Sequence, residues 1–101
     1  MVISWKQTFN GTWTLKGKKG DAKYDVVVEF EGPTRPFMSD AAPIIADIAA
    51  LEGQDLSKVC GRSSIEAVVC YIETLITPKL SGGDKLKRLF VWENDMFGAE
   101  I

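Results

Sequence analysis

Two stretches near the N-terminus alternate apolar and polar side chains with a period of two. In residues 3–15 the large apolar side chains fall at odd positions, and in residues 24–31 they fall at even positions, with only Val27 out of step. This period is typical of β-strands with one buried face. The Lys- and Gly-rich residues 16–21 between them predict a hairpin turn. Gly11 interrupts the first apolar row, which predicts a bulge or a bend there.

Apolar residues at helical spacing follow in the middle of the chain. Residues 41–51 carry Ala, Ile and Leu at intervals of three and four, which predicts a first helix. Ser39 or Asp40 is placed to cap its start, because a short polar side chain can accept a hydrogen bond from a free amide of the first turn. Gly53 is placed to close it.

A second helix is predicted to begin at the sequence SSIE of residues 63–66. In a capping box of this form the Ser63 hydroxyl accepts a hydrogen bond from the amide three residues on, and the Glu66 carboxylate accepts one from the amide of the cap. Apolar residues then recur at i, i+3, i+4 and i+7 through residues 65–76. Pro78 ends the pattern.

The last part of the chain predicts two more strands. Residues 86–93 are dense in Leu, Phe, Val and Trp, Asn94-Asp95 forms a turn, and residues 96–101 suffice for a short fourth strand. The element order is therefore β-β-α-α-β-β. This order predicts an α+β fold, with an antiparallel sheet that carries both helices on one face. The other face keeps Val27 and some aromatics, which favours self-association.

Length and charge narrow the classes of partner. The 101 residues leave room for one domain, spanning 1–101, and a chain this short gains stability by burying more surface in an oligomer. A net charge of -2 and a pI near 5.1 provide no field to attract nucleic acid. The apolar runs are far shorter than the roughly 20 residues that cross a bilayer. We therefore expect a cytoplasmic protein with neither nucleic-acid nor membrane partners.

The residue types limit the chemistry. The chain has no His, so it lacks the usual general base and the commonest zinc ligand, and its two cysteines are too few for a metal site. Both thiols are expected to be free. Cys60 is predicted to lie in a loop, but as a nucleophile it would need Lys58, Arg62 or a helix terminus to lower its pKa. The hairpin lysines, Lys16, Lys18 and Lys19, either attract an anionic ligand or are simply solvated.

Glu93 is the most informative candidate for a binding site. It ends an otherwise apolar strand, where a carboxylate must find hydrogen-bond donors or reach water. One interpretation is a solvated strand end. The other is a carboxylate that accepts two parallel hydrogen bonds from the N–H groups of a guanine-like or pterin-like ring. Glu66, Ser63 and Ser64 likewise either cap the second helix or hold a ligand at its start.

Short segments along nearly the whole chain resemble the 6-pyruvoyltetrahydropterin synthase and 6-carboxytetrahydropterin synthase family. FNGTWTL is similar to the family's F-x-A-A-H-x-L, GDAKY to H-G-H-N-Y, FMSD to G-M-V-x-D-F, and LEGQDL to L-D-H-x-x-L-N. SSIE resembles P-T-x-E-N, VWE resembles V-x-E-T, and AEI resembles A-x-Y. These segments lie at residues 9–15, 20–24, 37–40, 51–56, 63–66, 91–93 and 99–101.

The resemblance implies a tunnelling fold whose subunits join through their sheet edges into a barrel, with ligand pockets between neighbouring subunits. It assigns the pterin anchor to Glu93. Glu66, Ser63 and Ser64 remain, from their place at a helix start, the other candidate ligand-binding residues. The ligand is then a planar pterin-like or purine-like heterocycle, and the partner is a second copy of the chain.

The resemblance also shows what this chain lacks. The family's three zinc histidines fall at Trp13, Gly20 and Ala22, and its catalytic Asp-His pair falls at Glu52-Gly53. The loop that carries the family's nucleophilic cysteine is shortened to residues 16–19 and contains no thiol. We therefore expect no catalytic residues, no metal and no cofactor, because without them the family's chemistry has neither Lewis acid nor proton shuttle.

Several functions remain open from the sequence. The leading hypothesis is a catalytically silent protein that binds a pterin-like or guanine-type ligand. An alternative is a metal-free lyase or aldolase, for which Lys23 and Tyr24 are the candidate pair, although adjacent strand residues point to opposite faces. A structural or regulatory subunit is a further alternative, as is a protein that sequesters a nucleotide signal.

Overall fold

The computed structural model describes residues 2–32, 37–62, 64–80 and 84–101, with the backbone alone at 37–40. Its elements in chain order are β1 (Val2–Leu15), β2 (Lys18–Glu31), α1 (Phe37–Ala49), α2 (Leu56–Cys60), α3 (Ile65–Ile76), a 3-10 turn (Thr77–Lys79), β3 (Lys85–Glu93) and β4 (Phe97–Glu100). The strands form one antiparallel sheet in the order β1-β2-β3-β4. The predicted α+β class and tunnelling-fold layout are confirmed, and α2 is an element that the sequence pattern did not predict.

The core lies between one face of the sheet and the helices. The alternating rows of β1, β2 and β3 point their apolar side chains to this face, where they meet the apolar stripes of α1 and α3. Burial of each such side chain contributes roughly 1.5–3 kcal/mol. The largest fully buried side chains are Phe9, Tyr24, Val26, Val28, Leu89 and Val91 from the sheet, and Ile44, Ile48, Leu56, Val68, Ile72 and Ile76 from the helices.

The opposite face of the sheet carries a mixture of apolar and charged residues. Val27 is half-buried there and Trp92 is 39% exposed. Asp25 is buried between them and accepts a hydrogen bond of 2.5 Å from the Thr8 hydroxyl. That hydrogen bond, with a smaller contribution from the Lys23 charge, holds the pKa of the Asp25 carboxyl below its usual range. The face therefore combines apolar side chains with a buried, hydrogen-bonded carboxylate.

Helix α1 begins earlier than the sequence predicts. It starts at Phe37, so Ser39 and Asp40 lie inside its first turn and the prediction that one of them caps the helix was wrong. Residues 37–40 contain neither Gly nor Pro, so nothing in them stops the helical turn from extending.

The cap of α3 is shifted by one residue from the prediction. Ser64 has extended backbone angles and its hydroxyl oxygen accepts a hydrogen bond of 3.3 Å from the Ala67 amide, so Ser64 is the cap. Glu66 is then the second helical residue and not the third, so the predicted capping box of Ser63 and Glu66 was wrong. Ser63 itself lies outside the described residues.

Gly11 does not mark a bulge. It pairs with Ala22 in an unbroken register, and the irregularity of the sheet lies instead between β2 and β3 at Glu29/Phe30. A Cβ atom at Gly11 would overlap the Leu56 side chain and lie 3.1 Å from the backbone oxygen of Gln54. Glycine is needed there because α2 and the segment before it approach the strand closely.

The two hairpin turns are tight. Lys16 and Gly17 have φ values of 51° and 79°, which make a two-residue turn, while the rest of the predicted turn belongs to β2. Asn94 and Asp95 have φ values of 52° and 59°, so the predicted turn after β3 is confirmed. In the described part of the chain no helix is long and apolar enough to cross a membrane.

Candidate functional site

Glu93 ends β3 on the helix-covered face of the sheet, beside β2. It pairs with Tyr24 across the two strands, and the Tyr24 hydroxyl donates a hydrogen bond of 3.1 Å to Glu93 Oε1. Because paired residues point to the same face, the register of β2 and β3 brings phenol and carboxylate together. One oxygen of the half-buried carboxylate accepts this hydrogen bond, and no described residue donates a hydrogen bond to the other oxygen.

A recess of about 280 Å³ opens at Glu93, and its other described walls are Trp13, Leu15, Asn94 and Phe97. It therefore combines one carboxylate with two aromatic rings and an aliphatic side chain. A recess with mostly apolar walls and a few placed polar groups is typical of binding sites for small molecules.

The Trp13 indole forms a flat wall because Gly20 lies opposite it in the hairpin. The two residues pair across β1 and β2, and a Cβ atom at Gly20 would overlap the indole ring. The ring therefore lies directly over the Gly20 backbone. These are two of the three positions at which the resembled family has its zinc histidines, and the third, Ala22, follows on the same face.

None of the three side chains at these positions can bind zinc. Within the ranges that the structure describes, no three Cys, Asp or Glu residues are grouped closely enough to hold a metal ion.

Tyr24 is a proton donor in its surroundings, not a base. Its side chain is 1% exposed and stacks on Phe9, with ring centroids 5.1 Å apart. Burial raises the pKa of the Tyr24 phenol, and the negative charge of Glu93 raises it further. The phenol therefore stays protonated at neutral pH and holds the Glu93 carboxylate in place.

The candidate catalytic pair Lys23 and Tyr24 is not brought together. Lys23 lies on the opposite face of the sheet, where its ammonium nitrogen is 3.8 Å from Asp25 Oδ2 and 3.5 Å from Asp95 Oδ2. Glu52, at the position of the family's catalytic acid, is exposed and accepts a hydrogen bond of 3.0 Å from the Asn10 amide. It anchors the segment after α1 to the edge of β1.

Of the other predicted ligand-binding residues, Ser64 and Glu66 do not line the Glu93 recess, and Ser63 lies outside the described residues. Ser64 lines a separate cavity of about 520 Å³, which shares Leu15 with the recess. Glu66 is exposed on the first turn of α3 and lines neither cavity. The binding roles of Glu93, Glu66 and Ser64 stay predictions.

Both cysteines are free. Burial raises the pKa of the Cys60 thiol to about 11, so the reactive thiolate is scarce at neutral pH. Cys70 is exposed on α3.

Sequence reasoning did not identify Tyr24 and Phe97 as members of the Glu93 site. Tyr24 is 69 residues away along the chain, and only the register of β2 and β3 shows that it faces Glu93. Phe97 reaches the recess because the tight turn at residues 94–96 brings it opposite Glu93 in β4. The alternation in residues 24–31 predicted the correct face for Tyr24, but not its partner.

No protein-family model matches this chain. A curated protein, the dihydroneopterin monophosphate aldolase of Pyrococcus furiosus, is 28% identical to it over an alignment of 103 positions, which covers 99% of this chain and 82% of that protein. The likeness does not single out the 6-pyruvoyltetrahydropterin synthase family or a degenerate member of it. Together with the observed sheet and helices, the likeness supports a relationship to the broader tunnelling-fold superfamily of pterin enzymes.

Proposed function

We propose that this protein binds a pterin-like or guanine-type heterocycle in the Glu93 recess. The observation that carries the proposal is the Glu93 carboxylate itself, which is fixed through one oxygen by Tyr24 inside a recess with aromatic walls. Adjacent N–H groups on the pyrimidine edge of such a ring form charge-assisted hydrogen bonds to a carboxylate, which give both energy and orientation. The ring faces would then pack against Trp13 and Phe97.

Binding without conversion is the simpler form of this proposal. Tyr24 is the described titratable group that touches Glu93, and its phenol is held in the protonated form. The thiol of Cys60 is also held protonated, and Lys23 is engaged on the other face. A protein that binds the heterocycle without converting it needs only the Glu93 carboxylate and the apolar walls of the recess. Capture of a guanine nucleotide, as in a sequestering protein, would use the same contacts.

Calorimetry with pterins, 7-deazaguanines and guanine nucleotides tests this proposal. Glu93→Gln keeps the size of the side chain but replaces one acceptor oxygen with a donor, so we expect affinity to fall by about tenfold or more. The matched control is Glu31→Gln, an exposed carboxylate at the far end of β2. Equal affinity of Glu93→Gln and the wild type would show that the pocket is assigned wrongly.

Aldol cleavage of a pterin is the second candidate function, and one observation favours it. The relative named dihydroneopterin monophosphate aldolase aligns with 99% of this chain. Lys23 and Tyr24 lie on opposite faces, so cleavage would require groups other than that pair. Chromatographic product analysis with dihydroneopterin and its monophosphate tests this candidate. If neither compound yields products under conditions where it binds to the protein, the chain is not an aldolase for these pterins.

We also propose that the chain forms a homo-oligomer through its sheet edges. The outer edge of β1 from Val2 to Thr8 has no strand partner among the described residues, and the same holds for the outer edge of β4. Leu15 and Phe97, at the rim of the Glu93 recess, are 52% and 60% exposed. A neighbouring copy at these edges would bury this apolar surface and deepen the recess. A mixed assembly with another protein, as for a regulatory subunit, would appear as a different mass on co-purification.

A further inference from the structure

The turn between β3 and β4 carries two walls of the Glu93 recess. Asn94 begins this turn and Phe97 follows it, and both line the recess. Asn94 and Asp95 have φ values of 52° and 59°, a backbone conformation that the surrounding structure must hold in residues other than glycine. The shape of the recess therefore depends on the contacts that keep this turn in place.

Lys23 in β2 contacts the turn at three points. Its backbone N–H donates a hydrogen bond of 2.8 Å to Asn94 Oδ1, and its carbonyl oxygen accepts one of 2.8 Å from the Asn94 amide. Its ammonium nitrogen lies 3.5 Å from Asp95 Oδ2. The two backbone hydrogen bonds hold Asn94, whereas the ion pair with Asp95 is the contact that depends on the Lys23 side chain.

A buried carboxylate fixes the position of the Lys23 ammonium. Asp25 Oδ2 lies 3.8 Å from it, and the Asp25 side chain is 7% exposed, compared with 72% for Asp95. The other oxygen of Asp25 accepts the hydrogen bond from the Thr8 hydroxyl, so this carboxylate is held within the sheet. The ammonium therefore bridges a fixed anion of the sheet and an exposed anion on the turn.

Removal of the ammonium would leave two carboxylates that repel each other. The carboxylates of Asp25 and Asp95 approach the same nitrogen atom, so they are close enough to interact once its positive charge is gone. Because Asp25 is buried and Asp95 is exposed, the turn is the part that can move. Asn94 and Phe97 would then move with it.

We propose that Lys23 is a positioning residue for the Glu93 recess. From the opposite face of the sheet, its ammonium holds the β3–β4 turn and with it the recess walls formed by Asn94 and Phe97. This role differs from that of a catalytic lysine, because the Lys23 side chain does not touch the ligand. The consequence for heterocycle binding rests on the proposed function, whereas the effect on the turn does not.

Hydrogen exchange of the protein without ligand tests the hold on the turn. The amides of Asn94 and Met96 donate to the carbonyl oxygens of Lys23 and Glu93, so their exchange reports opening of the turn. Lys23→Met removes the charge from a side chain of similar length, and we expect both amides to exchange about twofold to fivefold faster. Lys23→Arg keeps the charge and should restore the wild-type rates. Lys6→Met is the matched control, because Lys6 also acts on the Asp25 charge but forms no ion pair with the turn.

A second substitution separates the bridge from a simple loss of charge. In Lys23→Met combined with Asp95→Asn, the turn carries no carboxylate for Asp25 to repel, so both amides should exchange more slowly than in Lys23→Met alone. An unchanged exchange rate in Lys23→Met, or equal acceleration in Lys6→Met, overturns the proposal. So does a double variant that exchanges as fast as Lys23→Met.

Calorimetry with neopterin and guanosine monophosphate then measures the consequence for binding. We expect Lys23→Met to weaken affinity by about twofold to fivefold, and Lys23→Arg to keep wild-type affinity. A Lys23→Met protein whose turn opens but which binds as tightly as the wild type would show that Lys23 does not position the site. If the wild type binds neither compound, the proposed function fails, while the exchange rates still decide whether Lys23 holds the turn.

Discussion

Tyr24 is a buried phenol whose ionisation is tied to Glu93, and this makes the stability of the protein depend on pH at the alkaline end. Burial and the Glu93 charge raise the pKa of the folded phenol above its ordinary value of 10.0. Above about pH 10 the unfolded chain therefore releases a proton that the folded chain retains. The free energy of unfolding must then fall as pH rises, by at most about 1.4 kcal/mol per pH unit for this group.

Tyr24→Phe should remove this part of the alkaline loss. At neutral pH the variant keeps the ring stacked on Phe9 but loses a hydrogen bond to a charged acceptor, which costs about 1–3 kcal/mol. Urea denaturation between pH 8 and pH 11 measures both effects. The Cys60 thiol contributes a loss of the same sign in both proteins, so the difference between them isolates Tyr24. Tyr71→Phe, which retains Tyr24, should follow the wild type; identical pH profiles for Tyr24→Phe and wild type would contradict the assignment.

At the scale of elements, Gly11 is a point of close contact between β1 and α2. Gly11→Ala places a methyl group against the Leu56 side chain, which is 1% exposed and packed in the hydrophobic core. We expect a loss of about 1–3 kcal/mol in the free energy of unfolding, typical of an overpacked core. In a Leu56→Ala background the added methyl meets no side chain and should cost less. A double-mutant cycle by urea denaturation measures this coupling, and equal costs in both backgrounds would show that the strain comes from elsewhere.

The strands were predictable because their signal repeats over many residues. Residues 3–15 and 24–31 alternate for long enough that a slip of one residue would bury carboxylates and expose aromatics. Helix α2 has only five residues, too few to show a helical period, and its cap Asp55 is recognisable only from its bonds to Ser57 and Thr14. A short element stabilised by distant partners leaves little trace in its own sequence.

The candidate site was predictable in part for a related reason. Glu93 was identified because a carboxylate at the end of an apolar strand needs an explanation. The Trp13 wall depends on Gly20 being its cross-strand neighbour, and the Ser64 cap depends on where α3 starts to within one residue. Such relations are set by register and by the exact turn of the chain, which local patterns determine only to within a residue or two.

At the scale of the whole molecule, the free edge of β1 offers a direct test of assembly. The amides of Thr12 and Thr14 point away from β2, toward Gln54 and Ser57. Because alternate residues of an antiparallel strand direct their backbone groups to the same side, the Ser4 amide also faces outward, where the described chain provides no partner. A proline at position 4 would therefore remove an edge donor while it leaves the β1–β2 ladder intact.

We expect the wild type to sediment as an oligomer and Ser4→Pro to sediment as a smaller species with an unchanged far-ultraviolet circular dichroism spectrum. Ser4→Ala, which keeps the amide, should sediment like the wild type. If neighbouring copies complete the Glu93 recess, Ser4→Pro should also lose heterocycle affinity, although residue 4 lies far along β1 from Trp13 and Leu15. A wild type that stays monomeric at tens of micromolar would contradict the proposed assembly. A Ser4→Pro variant that is smaller but binds with full affinity would place the whole binding site within one chain.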